Sequence, residues 1–231
     1  MMVTYSAVGM DHLRPEAPGR RRERRRQGHA RAPRSCAESA AHAATLANPR
    51  ALAQSSFMRR LFLVRHAKAK PSVGRDDYAR KLTKRGRADA KRVAKALAAC
   101  HFLPDVLIHS GAARAKETAE IFAAEWRSKV ALEEDVGLYD ASVTTLLDRT
   151  RALADAHKCV GLVGHNPGLG ELATALTGSG AEPELHRLAA KYPTGAVAVL
   201  DFSIKRWEEV ERNAAMLALY LTPAELEAKA D

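Results

Sequence analysis

The sequence predicts an α/β protein, a three-layer α/β/α sandwich around a mainly parallel sheet. Short continuous apolar runs, as expected of strands buried on both faces, alternate with stretches whose apolar residues recur every 3.6 positions. Cap and turn residues separate the two kinds of segment. Strands that alternate with helices pair side by side in parallel, with the helices covering both faces.

From Arg60 onward each element has its own warrant. Leu61-Phe62-Leu63-Val64 is a buried strand, followed by a polar loop containing Gly74. Thr83 caps a helix running to about Ala99, whose stripe is Ala90, Val93, Ala94, Leu97 and Ala98. Asp105 to His109 is the next strand, Ala112 to Trp126 a helix, and Val130 to Leu132 a short strand. Val143, Leu146, Leu147, Thr150 and Ala154 mark another amphipathic helix, and Cys159 to Gly164 another strand. Pro167 opens a helix that Gly178 ends, following the preference for Pro at the start and Gly past the end. Gly195 to Phe202 and Ala215 to Leu221 are late strands, and Thr222-Pro-Ala-Glu225 is a capping box for a last helix.

Composition excludes several classes. Hydrophobic residues at 46% and charged residues at 28% rule out collagen-like and wholly disordered chains. The longest apolar run, Ala214 to Leu221, is far below the roughly 20 residues that span a bilayer. Three cysteines (Cys36, Cys100, Cys159) with no C-x-x-C exclude a disulfide scaffold and a thiolate zinc cluster, and reduced thiols in a cytoplasm are expected.

The net charge of +10 is unevenly spread. Residues 1–57 hold ten Arg and four acids, with Arg20 to Arg22 and Arg24 to Arg26 around Glu23. The remaining 27 basic and 23 acidic groups leave the body close to balance. With few large apolar residues, 1–57 is expected to be a disordered Arg-rich extension, and 58–231 the folded domain. Three readings of the extension are ranked. A segment without a role upstream of a start at Met58 comes first, an organelle-targeting peptide second, and a nucleic-acid or lipid-binding arm last.

In open α/β sheets ligands bind beyond the carboxyl ends of the strands. Here the first strand ends in Arg65-His66 and the second in His109-Ser110, with Arg114 in the helix that follows. The strand 159–164 ends in His165-Asn166-Pro167-Gly168. Two histidines and two arginines therefore converge on one sheet edge. Arginine clamps phosphate with two parallel hydrogen bonds. A neutral imidazole can attack phosphorus, while guanidinium groups and a second imidazole neutralise the equatorial oxygens. No carboxylate cluster stands beside these histidines, and nothing in the sequence implies a metal or other cofactor.

Leu63-Val64-Arg65-His66-Ala67 resembles the R-H-G/A signature of the histidine phosphatase superfamily. Asp77-x-x-Arg80-Lys81-Leu82-Thr83-x-x-Gly86 is similar to its D-x-x-R-P-L-T-x-x-G segment, with Lys81 in place of Pro. Ser110-Gly111-Ala-Ala-Arg114-Ala-x-x-Thr118 is similar to S-P-A-x-R-A-x-x-T, with Gly111 in place of Pro. Gly164-His165-Asn166-Pro167 matches the G-H-N-P turn, and Pro193-Thr194-Gly195 and Trp207 sit where small SixA-type phosphohistidine phosphatases carry them.

The resemblance implies a phosphoglycerate mutase-like fold and a metal-independent phosphatase. His66 is then the nucleophile, and Arg65, Arg114 and His165 form the phosphate pocket. Relatives use a mid-chain carboxylate as general acid, and Glu133, Glu134, Asp135 and Asp140 are the candidates. The substrate expected is a phosphohistidine on a signalling protein, such as a phosphotransfer domain. Small phosphate monoesters are one alternative, and a phosphate-binding protein without turnover another. Neither a membrane nor a nucleic acid is expected as a partner.

Taken singly, most of the other polar residues have bland readings. Asn166 reads chiefly as a helix cap, with any contact to phosphate secondary. His109 reads as structural, and His101, His157 and His186 as surface residues. Lys68, Lys70 and Arg80 either line the mouth of the site or are scattered surface charge. Cys100 and Cys159 read as small buried hydrophobes, and Trp207 as packing.

Overall fold

The computed structural model describes residues 58–72, 76–126 and 130–228, all within one compact unit. The expected extension 1–57 lies outside the described residues. Seven strands form one sheet: β1 (Met58–Arg65), β2 (Val106–His109), β3 (Ala131–Glu134), β4 (Cys159–Gly164), β5 (Thr177–Gly180), β6 (Val197–Ser203) and β7 (Ala215–Leu221). Their order is β3-β2-β4-β1-β6-β7-β5. Only β6 runs against its neighbours, so the sheet is mainly parallel as expected.

Among the described residues six α-helices cover it: α1 (Lys84–Ala99), α2 (Ala113–Trp126), α3 (Val143–Arg151), α4 (Gly168–Leu176), α5 (Glu182–Ala190) and α6 (Pro223–Glu227). Alternation along β1 separates two cores. Phe62 and Val64 pack with α1, α2 and α6 on one face, while Leu61 and Leu63 pack with α3, α4 and α5 on the other. Strand period 2 thus serves both helical layers, giving the three-layer sandwich.

Most element boundaries fall where the sequence put them. Thr83 Oγ1 accepts from Gly86 N at 2.9 Å and starts α1. The capping box of Thr222 and Glu225 opens α6. Trp207 is packing, fully buried with Nε1 donating to His157 O at 2.8 Å.

Some expectations are corrected. Helix α4 stops at Leu176, and Thr177–Gly180 continues as a strand rather than a turn. Helix α5 was not foreseen. Asn166 does not cap α4: Pro167 holds the N-cap position with no side-chain bond, and the Asn166 amide donates to Tyr192 O at 3.0 Å instead. Cys159 is a free thiol. Cys100 and Cys159 are half-buried rather than buried.

Candidate active site

The parallel strands β1, β4 and β2 end side by side, and their carboxyl ends carry Arg65-His66, Gly164-His165 and His109-Ser110. The backbone around the first pair is bolted on three sides. His66 N donates to Gly164 O at 3.0 Å, and Gly195 N donates to both Arg65 O and His66 O at 3.1 Å. Gly195 holds φ +78, a left-handed conformation open to glycine, which is what the Pro-Thr-Gly segment supplies. On the third side Ala67 N donates to Thr118 Oγ1 at 3.1 Å, and Thr118 Oγ1 donates to Arg114 O at 2.7 Å. Thr118 thereby ties the loop after His66 to the turn of α2 that bears Arg114.

A pocket of about 390 Å³ opens at this edge, walled by Arg65, His66, Arg114 and His165 together with Asp77, Arg80, Tyr139, Asp140 and Asn166. All four residues expected to form the phosphoryl site meet here, and Asn166 lies on the rim beside them. His66 and His165 are each 8% exposed, with ring centroids 5.1 Å apart. His66 Nδ1 lies 2.7 Å from Ala67 O, a pure acceptor, so Nδ1 carries the proton. The lone pair is then on Nε2, where Arg114 Nε donates at 3.2 Å. Burial, opposed by the Ala67 bond and joined by Arg114, Arg65 and Arg80, lowers the His66 pKa to about 4. Burial, with His66 and Arg114 nearby, lowers that of His165 to about 3. Both imidazoles are neutral at pH 7.

Arg114 is the hub. Besides His66 it donates from Nη1 to Asp77 O at 2.7 Å, and from Nη2 to Asp77 Oδ2 at 2.8 Å and His165 Nδ1 at 3.2 Å. Arg65 Nη1 donates to Tyr192 O at 2.7 Å, while its buried Nε has no partner among the described residues. Sequence reasoning missed four of these participants. Asp77 accepts from Tyr139 Oη and from Arg80 Nε as well as Arg114, and these contacts, led by the Tyr139 bond, lower its pKa to about 2. Tyr139 lays its ring edge against His165. Tyr192 anchors Arg65 and Asn166 through one carbonyl. Ser110 Oγ sits 2.7 Å from His165 Nε2. Asp77 and Ser110 each had a signal, as the first residue of a motif.

The four general-acid candidates separate. Asp135 caps the short 3-10 turn after β3 and pairs with Arg149. Glu133 and Glu134 are exposed on β3, the edge strand. Asp140 lines the pocket, at φ +49. Arg80 reaches the pocket, whereas Lys68 and Lys70 are exposed and do not line it. His109 is structural, its Nδ1 accepting from Gly111 N at 3.1 Å. His101 and His186 are exposed; His157 is half-buried. Among the described residues, no group of three or more His, Cys, Asp and Glu could hold a metal ion.

A family model for the histidine phosphatase superfamily (branch 1) matches residues 61–200. The chain belongs to that superfamily. This histidine phosphatase resembles the SixA protein of Agrobacterium tumefaciens, assigned to the phosphohistidine phosphatases, at 30% identity and a TM-score of 0.61, over 73% of this chain and all of that one. An uncharacterized protein of Mycobacterium tuberculosis is 29% identical over 69% of this chain and 99% of its own length. One from Mycobacterium leprae is 33% identical over 37% of this chain, spanning 53% of that protein. The fold is the phosphoglycerate mutase-like sandwich that the sequence predicts, of the SixA type, and family membership supports phosphatase activity.

Proposed function

We propose that this histidine phosphatase removes phosphate from phosphohistidine on a protein, through a phosphohistidine intermediate on His66. The observation that carries the mechanism is the His66 ring: its Nδ1–H is anchored to Ala67 O, so Nε2 offers a lone pair into the cationic pocket. Arriving phosphoryl oxygens take the Nε–H and Nη2–H of Arg114 from the two imidazoles, which frees His66 Nε2 for in-line attack. Phosphorus bonds to Nε2 as its bond to the leaving nitrogen breaks. Water then attacks phosphorus, the bond to Nε2 breaks, and inorganic phosphate leaves. Arg65, Arg114 and His165 carry the charge that develops on the equatorial oxygens.

The supply of protons favours the phosphohistidine substrate. Asp77 is an anion throughout the neutral range, so it cannot protonate a leaving group. Among the described residues that line the pocket, Asp140 is left as the carboxylate candidate. A phosphohistidine already protonated on its other ring nitrogen leaves as neutral imidazole, whose conjugate acid has a pKa of about 6.5, and needs no acid from the pocket, whereas an alkoxide needs a positioned one. The likeness to the SixA protein of A. tumefaciens supports the same reading.

The test incubates the full chain, with chelator present, with a phosphohistidine-bearing phosphotransfer domain and in parallel with a panel of small phosphate monoesters. Fast release from phosphohistidine, absent in His66→Ala, is expected. Preference for a small ester would retain the mechanism and move the substrate. Phosphate bound without turnover of any substrate would refute the enzyme assignment.

A further inference from the structure

We propose that Ser110 is a positioning residue for His165, and that the pocket takes up one proton, at His165 Nδ1, each time it binds a phosphoryl dianion. The inference rests on reading this pocket as a phosphoryl site. A guanidinium donates and never accepts, so the approach of Arg114 Nη2 to His165 Nδ1 at 3.2 Å puts a lone pair on that nitrogen. The proton of the neutral ring is therefore on Nε2, and Ser110 Oγ, 2.7 Å away and fully buried, accepts it.

The charged and titratable groups facing this ring come from every side. Arg65 and His66 face it from the carboxyl end of β1, Arg114 from α2, and Asp77 and Tyr139 from the loops before α1 and α3. Asp77 is the acid among them, and its Oδ2 is already shared by Arg114 and Tyr139. In the empty pocket the cations and burial keep the ring neutral, with its lone pair on the side from which Arg114 approaches.

A phosphoryl dianion reverses that balance. Its oxygens compete for Arg114, and its charge offsets the two guanidiniums. An acceptor oxygen opposite the Nδ1 lone pair is repulsive, whereas an imidazolium N–H there makes a charge-assisted bond about twice as strong as a neutral one. With Nε2–H already held by Ser110, the added proton goes to Nδ1, and the ring donates on both sides. The proton comes from solvent, and no covalent bond to carbon or phosphorus changes.

The experiment titrates inorganic phosphate into the full chain at pH 8, where phosphate is mostly dianionic, in buffers of different ionisation enthalpy. Calorimetry then gives the protons taken up per phosphate bound. About one is expected. Nitrogen-15 NMR of the labelled histidines, with His165→Asn for assignment, should show His165 protonated on Nε2 alone in the free protein and on both nitrogens with phosphate. Ser110→Ala should weaken phosphate binding about tenfold at pH 8, by removing an acceptor from a charged donor. It should also move the alkaline fall of affinity about one unit toward acid. Binding without proton uptake, the ring having only shifted its proton from Nε2 to Nδ1, overturns the proposal. So does uptake that persists in His165→Asn. A wild-type chain that binds no phosphate refutes instead the phosphoryl reading on which the inference stands.

Discussion

Arg114 fixes the protonation of both histidines, because neither of the nitrogens it touches can be a donor. With its lone pair on Nε2 and a pKa of about 4, His66 needs no base to deprotonate it in the neutral range for the nucleophilic role proposed above. His66→Ala should therefore lower turnover at least about a thousand-fold, as loss of a covalent nucleophile does elsewhere, while the phosphate affinity of the purified protein stays measurable. Asp140→Asn distinguishes leaving groups. It should cost less than about threefold in kcat on phosphohistidine and more than about a hundredfold on an alkyl monoester, the usual worth of a positioned acid. Equal losses on both would mean that Asp140 serves the shared hydrolysis step. The four principal residues were legible because each stands at the end of an apolar run or just inside the next helix, where the fold class already directs attention. The contacts made by Asp77, Tyr139, Ser110 and Tyr192 were not. They join positions 37 to 127 residues apart, from loops whose course no periodicity records.

At the scale of elements, the motif spacings reduce to packing. Helix α1 begins against the loop after His66: Thr83 Oγ1 donates to Lys68 O at 3.1 Å, and a Cβ on Gly86 would lie 2.1 Å from that same carbonyl. Gly86→Ala should thus cost more stability than Thr83→Ala. The lost cap is worth about 1 kcal/mol, while the added methyl must push the helix off the loop, about 2 kcal/mol or more. Urea denaturation of the two variants checks the order, and a milder effect for Gly86→Ala would mean that the helix start yields easily. Gly111, where the related motif has Pro, holds φ +79, a value closed to proline, so the loop between β2 and α2 has its own shape here. Strand β5 escaped notice because Thr177-Gly-Ser-Gly180 has no apolar alternation to read. Gly178 looked like a helix stop, yet its true constraint is a backbone approach: a Cβ there would meet Asn213 O at 1.9 Å. Helix α5 has only Leu185 and Leu188 as large apolar anchors, too few to show a period.

For the whole molecule, holding two neutral histidines in a cationic pocket makes stability depend on acid. The unfolded chain binds protons at these residues near pH 6.5, whereas the folded chain resists until about 4 for His66 and about 3 for His165. Between those values the unfolded state holds more protons, so stability rises with pH and is lost as pH falls from about 6.5 toward 4. Each histidine should contribute a loss of about 2 kcal/mol between pH 7.5 and 5, large against the few kcal/mol that hold a domain together. Denaturant titrations of the wild type and of a His66→Asn, His165→Asn double variant across that range measure it. The variant should show a flatter dependence, because the groups that must charge on unfolding are gone. Saturating phosphate should also flatten the wild-type curve, since a ring that gains its proton in the complex no longer favours the unfolded state. A wild-type stability constant from pH 7.5 to 5 would show that the empty pocket already holds protonated histidines, and the neutral nucleophile with it would be lost.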